Sequence, residues 1–215
     1  RTLADGMDAS DDYLMKDAVD YFGTSFYPKL TSPDRDFPLE RRALVFDMAR
    51  AVTGDRGFYI GELQAGFGVH GTVTGNPITA NDLALYAWSA VARGARSISF
   101  YAFYPMSTGY EAGGYGLVNL DGSLTERSRR AGATARAIAG HADLILASKP
   151  EPAQVAVVFN PLVPLLGGEQ AYGDRRAMHR AVAGYHRMFF ERNIAVDFPS
   201  AREITAAGLR KYALV

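Results

Sequence analysis

Glu62 ends a short apolar run, Phe58-Tyr59-Ile60-Gly61, and the glycine-bearing segment Leu63-Gln64-Ala65-Gly66 follows it. Parallel α/β sheets present reactive groups in this way. Backbone pairing stops at the glycine, and the next side chain faces the crevice at the strand's carboxyl end. A carboxylate held there can attack an electrophilic carbon, and Glu62 is therefore the leading catalytic candidate. The plainer reading is that Glu62 caps a turn or pairs with an arginine. Aromatic residues near the same strand ends could stack on an apolar ligand face, and Phe67 and Tyr104 are the candidates. Tyr101, Phe103 and Tyr110 are expected to be packing residues, because alternation along a strand turns only half of its side chains inward.

The elements that would position these groups alternate in type. Residues 21–27 read as a strand stopped by Pro28, and Leu44, Val45, Met48 and Val52 give a helix over 39–52. Residues 58–62 form the second expected strand. Thr79 suits the N-cap of a helix over 79–93, with Asp82 at its third position and Gly94 as its stop. Residues 97–104 form a third strand, and a glycine-rich loop leads to a long helix over 125–147. Strand and helix alternating three times predicts βαβ units on a parallel sheet. Lys149-Pro150-Glu151-Pro152 reads as a boundary, because paired prolines favour an extended linker. Strands at 154–159, 194–198 and 212–215 and a helix at 175–192 follow it. The expected domains are therefore 1–148 and 149–215. The three units lack a closing edge, which predicts a portion of a larger fold.

Composition narrows the function classes. The 215 residues contain 23 Lys plus Arg and 23 Asp plus Glu, so no net field attracts nucleic acid or an acidic membrane. No apolar run approaches the roughly 20 residues of a membrane span. The absence of cysteine excludes disulfides, thiolate nucleophiles and the common structural zinc sites, without fixing the compartment. Gly113-Gly114-Tyr115-Gly116 lacks the context of a phosphate loop, and Gly167-Gly168 lacks the dinucleotide fingerprint. No cofactor is expected. His179 and His186 lie seven apart on one helical face and read as packing residues. Trp88, beside Leu85 and Val91, reads as core or inter-subunit packing, and Arg127, Arg129 and Arg130 as the solvated face of a helix.

Taken in order, Gly61-Glu62-Leu63-Gln64-Ala65-Gly66, Tyr110-Glu111 and Leu117-Val118-Asn119-Leu120-Asp121-Gly122 resemble glycoside hydrolase family 42. The likeness covers about residues 21–147. It implies a retaining β-galactosidase on a (β/α)8 TIM barrel, with this chain holding the sixth to eighth strands. It also implies that residues 149–215 begin a flavodoxin-like domain of the kind that mediates trimerisation, and hence a homo-oligomer or a companion fragment as partner. On this resemblance Glu62 is the nucleophile, Tyr27 donates a hydrogen bond to it, and Glu111 binds sugar hydroxyls. The family's histidine three positions after Glu111 is Gly114 here, and its tryptophan eight residues after the nucleophile is His70. His70 could still bond a hydroxyl, but both departures remove sugar contacts. A preference for β-mannosides or β-glucosides, or a non-catalytic carbohydrate-binding or assembly role, is the alternative to terminal β-D-galactosides. The family's acid/base glutamate follows an asparagine on a strand that would precede Arg1. Neither Glu40 nor Glu126, both at expected helix starts, matches it.

Overall fold

The structure is a computed structural model describing residues 11–30, 37–161 and 177–215. Helix α1 (Asp12–Met15) precedes strand β1 (Gly23–Phe26), helix α2 (Leu39–Thr53) and strand β2 (Phe58–Gln64). Two-residue strands β3 (Val69–His70) and β4 (Val73–Thr74) lead to α3 (Ala80–Ala92) and β5 (Ala95–Tyr101). Helices α4 (Glu126–Gly140) and α5 (Ala142–Ala147) come next. The chain continues with β6 (Val155–Ala156), α6 (Ala177–Phe190), β7 (Val196–Asp197) and α7 (Ala206–Leu209). Strands connected through helices and parallel in the sheet make this an α/β fold. Gly167-Gly168 and the expected helix start at Arg175 lie outside the described residues.

The chain groups into two compact units. One comprises Thr24–Phe37 and Tyr59–Lys149, the other Arg1–Gly23, Pro38–Phe58 and Pro150–Val215. The first unit holds a three-stranded sheet ordered β1-β2-β5. Among the described residues, Phe26, Ile60, Leu63, Leu83 and Tyr86 are its fully buried large apolar side chains, with the Phe26 and Tyr86 rings edge to face at 5.7 Å. Burying each such side chain contributes roughly 1.5–3 kcal/mol. Helix α3 starts in a reciprocal capping box. The Asp82 N–H donates to Thr79 Oγ1 at 3.1 Å, and the Thr79 N–H donates to Asp82 Oδ2 at 2.8 Å. Gly94 then follows at φ 101°, a conformation that ends a helix.

Several expectations change in this unit: β2 does not stop at Gly61 but runs through Glu62 to Gln64, and β5 ends at Tyr101 rather than Tyr104. The helix expected over 125–147 is two helices, because Gly140 weakens it and the His141 Nδ1 turns back onto the Ala137 carbonyl at 2.8 Å. Trp88 is 39% exposed beside exposed Leu85, so it is not a core residue.

In the second unit α2 buries Leu44, Val45, Phe46, Met48 and Val52, and Phe46 stacks on Phe58 at 6.1 Å. Strand β6 pairs parallel to β7, and Val155 also bridges Leu214 in parallel. The strand expected over 154–159 thus forms a regular ladder only at Val155–Ala156. Its partner β7 is itself two residues long. His186 is fully buried and packs as expected, between Phe190 and Phe198, yet it also bonds Asp47 Oδ2 through Nε2 at 2.9 Å.

Candidate active site

Strand β2 delivers Glu62 through a change in its own burial pattern. Phe58 and Ile60 are buried and Tyr59 is exposed, as alternation requires, but Glu62 and Leu63 reverse the phase. Leu63 is therefore fully buried while Glu62 keeps access to solvent. Strand β1 supplies the donors. Ser25 Oγ donates to Glu62 Oε2 at 3.0 Å, and the Tyr27 hydroxyl donates to the same oxygen at 2.8 Å. Two hydroxyl donors on one oxygen orient the carboxylate. Tyr27 is raised above its ordinary pKa, first by burial and then by the Glu62 carboxylate, so it remains a donor at working pH.

Gln64 holds these two strand ends together. It is fully buried, its Oε1 accepts from the Lys29 N–H at 3.0 Å, and its Nε2 donates to the Gly66 carbonyl at 3.0 Å. Lys29 lies two residues past Tyr27 and Gln64 two past Glu62, so one amide ties both chain segments behind the site. Nothing in the sequence set Gln64 apart from an ordinary polar residue near a strand end. A buried amide must find partners, and here they are backbone groups.

The loops after β2 and β5 close on each other through backbone contact. The Gly68 N–H donates to the Gly114 carbonyl at 2.8 Å, and the Gly71 N–H donates to the Tyr110 carbonyl at 2.7 Å. A Cβ on Gly66 would lie 2.4 Å from the Gly114 carbonyl oxygen, and one on Gly114 would lie 2.5 Å from the Val69 nitrogen. Only glycine permits that approach. The position where the family resemblance expects a histidine is therefore filled by backbone packing.

An aromatic cluster results. The rings of Tyr27, Tyr101 and Tyr115 meet edge to face at 5.3–6.3 Å. Tyr101 donates to Glu111 Oε2 at 2.7 Å, and that bond is the main reason its pKa is pushed up to about 12. Tyr115 hydrogen-bonds His70 Nε2 at 3.0 Å and is raised by burial and by the charges of Glu111 and Glu62. His70, carried by the β3–β4 hairpin, stacks on Tyr110 at 5.4 Å.

The structure thus brings Glu62, Tyr27, Glu111 and His70 into one set of contacts. Tyr104 stands apart. It is half exposed and donates to the Leu120 carbonyl within its own loop. Phe67 is half-buried, with its carbonyl 3.4 Å from Gln64 Nε2. Tyr101 and Tyr110, read from sequence as packing, belong to the cluster, and Ser25, Gln64 and Tyr115 were missed. Arg127 is not solvated either. Its Nε and Nη2 donate to the carbonyls of Ala65 and Gly116 at 3.0 and 2.9 Å. Among the described residues no group of three His, Cys, Asp or Glu could hold a metal ion, and no helix is long and apolar enough to cross a membrane.

A half-open carboxylate with hydroxyl donors, beside aromatic rings and a second carboxylate, suits chemistry at the anomeric carbon of a sugar. The fold agrees with solved β-galactosidases. The enzyme from the haloarchaeon Halorubrum lacusprofundi superposes with TM-score 0.78 at 20% identity, covering 95% of this chain and 31% of its own. That from Rahnella sp. R3 gives 0.75 at 20% identity, with 94% and 29% covered. The Marinomonas ef1 enzyme gives 0.72 at 19% identity, with 95% and 33% covered. This chain therefore spans about a third of their length. No curated protein matches it. The glycoside hydrolase family 42 model, described as β-galactosidase, matches residues 2–139, and the chain belongs to that family.

Proposed function

We propose that the protein is part of a retaining glycoside hydrolase acting on terminal β-D-galactosides, with Glu62 as nucleophile. The observation that carries this reading is Glu62 Oε2 held by Ser25 Oγ and Tyr27 at 3.0 and 2.8 Å, at the carboxyl end of β2. A Glu62 oxygen bonds to the anomeric carbon while the bond to the leaving oxygen breaks and takes its electron pair with it. Water later displaces the carboxylate from the glycosyl ester with a second inversion, so that overall configuration is retained. Glu111, accepting from Tyr101, retains acceptor capacity for a sugar hydroxyl, and His70 and Phe67 border the same loops. Protonation of a natural leaving group requires an acid that neither Glu40 nor Glu126 provides. Glu40 pairs with Arg187 at 3.9 Å, and Glu126 is exposed in the first turn of α4. The 215-residue chain is therefore expected to hydrolyse natural galactosides poorly.

The last three strand-helix units of a TIM barrel over 1–148, followed by a flavodoxin-like portion over 149–215, is the architecture we assign to this function. A homo-oligomer or companion fragment belongs to the same reading. A preference for β-mannosides or β-glucosides is the second reading, and it rests on Gly114 and His70 standing where the family carries sugar-binding histidine and tryptophan.

Incubation with a 2-deoxy-2-fluoro-galactoside carrying a dinitrophenolate leaving group tests the proposal, because such a group departs without a proton. The expected result is a fluorosugar adduct on the peptide containing Glu62, lost in Glu62→Gln. A folded chain that takes no adduct from the galacto, manno or gluco reagent would overturn it in favour of a non-catalytic carbohydrate-binding or assembly role.

A further inference from the structure

Arg127 occupies the second position of α4, at the positive end of the helix dipole, where a cation is disfavoured. It is half-buried, and burial pulls its guanidinium below the ordinary pKa. Neighbouring Arg129 and Arg130 stay exposed. Among the described residues its bonds go to neutral carbonyls, Ala65 at 3.0 Å and Gly116 at 2.9 Å, and not to a carboxylate. These acceptors account for its position. Ala65 is three residues beyond Glu62, and Gly116 directly follows Tyr115 in the loop that bears Glu111. The same helix start ties the second loop again, since Thr125 Oγ1 donates to the Leu117 carbonyl.

We infer that Arg127 is a positioning residue that clamps the strand end bearing Glu62 to the loop bearing Glu111 and Tyr115. This rests on the reading of Glu62 as nucleophile. The planar guanidinium donates along two fixed directions and can bridge two carbonyls, whereas a lysine ammonium is a single point. The clamp sets the separation between the attacking carboxylate and the groups that hold the sugar. Reaction at the anomeric carbon is sensitive to that separation, because a displacement of about 1 Å costs roughly 100-fold.

The test uses the full chain and two readouts, on wild type, Arg127→Ala and Arg127→Lys. Hydrogen exchange over residues 65–71 and 110–118 reports the clamp without requiring catalysis. Inactivation by the same fluoro-galactoside, resolved into its binding constant and its limiting rate, reports positioning. Arg127→Ala is expected to exchange faster in both segments while α3 is unchanged, and to lose about 100-fold in limiting rate. Low-millimolar guanidinium should restore part of that rate, and Arg127→Lys should fall between. Unchanged exchange in both segments would overturn the clamp. Faster exchange with wild-type inactivation kinetics would overturn the positioning role and leave Glu62 as nucleophile. A folded wild type that never labels at Glu62 would overturn the nucleophile reading, and this inference with it.

Discussion

Two buried or half-buried carboxylates, one in each compact unit, are held in opposite ways. Asp47 is 7% exposed, with His186 Nε2 at 2.9 Å on one oxygen and Arg50 at 3.0 Å on the other. Arg50 also donates to the Val196 carbonyl at 3.1 Å, and the His186 ring lies between Phe190 and Phe198. Both Asp47 oxygens are thus engaged by side chains from the helices it joins, one by an imidazole and one by a guanidinium. Glu62 instead receives two neutral hydroxyls on one oxygen and keeps access to solvent. Neutral donors orient a carboxylate without cancelling its charge. The contrast separates a carboxylate that holds helix to helix from one left open to solvent, the one proposed as nucleophile.

Substituting each acid should therefore produce opposite phenotypes. Glu62→Gln is expected to lower fluorosugar labelling by roughly 10³-fold or more, with little change in melting temperature. Asp47→Asn should leave labelling of the folded fraction intact and destabilise by about 2–4 kcal/mol, because it strands Arg50 and His186 partly unpaired. Thermal unfolding and labelling measured on the same two samples check both. If Asp47→Asn abolished labelling in a folded sample, the division of roles would fail.

Gly66→Ala is the next most severe change. Its Cβ would meet the Gly114 carbonyl oxygen at 2.4 Å, so the two loops must part. A cost of about 1–3 kcal/mol is expected, together with weaker labelling. Wild-type labelling in this variant would show that loop closure is dispensable to Glu62.

A smaller effect is expected at alkaline pH. Tyr101, pushed up to about 12 by its bond to Glu111, binds its proton more tightly folded than unfolded, where Tyr titrates near 10. Its contribution to stability is therefore complete below pH ~10 and is lost as pH rises toward about 12. Tyr101→Phe should remove the tyrosinate absorbance that appears near pH 12, and retention of that signal would assign it elsewhere. Tyr104→Phe should cost about 1 kcal/mol or less, because an exposed hydroxyl loses only the Leu120 carbonyl. Labelling should be unchanged, and a large loss would bring Tyr104 back into the site.

Local rules carried much of this far. The Thr79–Asp82 box, the Gly94 stop and the apolar face of α2 each follow from residues a few positions apart, whereas β2 runs past the expected stop at Gly61 to Gln64. Such patterns report backbone preferences that act within one or two turns, so they are legible in one dimension. Tyr27 and Glu111 came from a family resemblance, and the aromatic candidates from their place near strand ends, with alternation used to set the others aside. That alternation picked Tyr104 over Tyr101. The loop after β5 folds back, turning Tyr104 to the Leu120 carbonyl and leaving Tyr101 against Glu111.

What the chain order could not show is which distant backbone groups would need partners. Gln64 and Arg127 look like an ordinary polar residue and an ordinary surface cation in the sequence. They became fixing points because folding brought the carbonyls of Gly66, Ala65 and Gly116 and the Lys29 N–H within 3.0 Å of them. A polar group that loses water must be satisfied by whatever lies beside it, and sequence spacing does not say what that will be. The choice of Glu62 as the candidate carboxylate was thus a local matter. Its orientation and its donors, Ser25 and Tyr27, were settled by long-range packing.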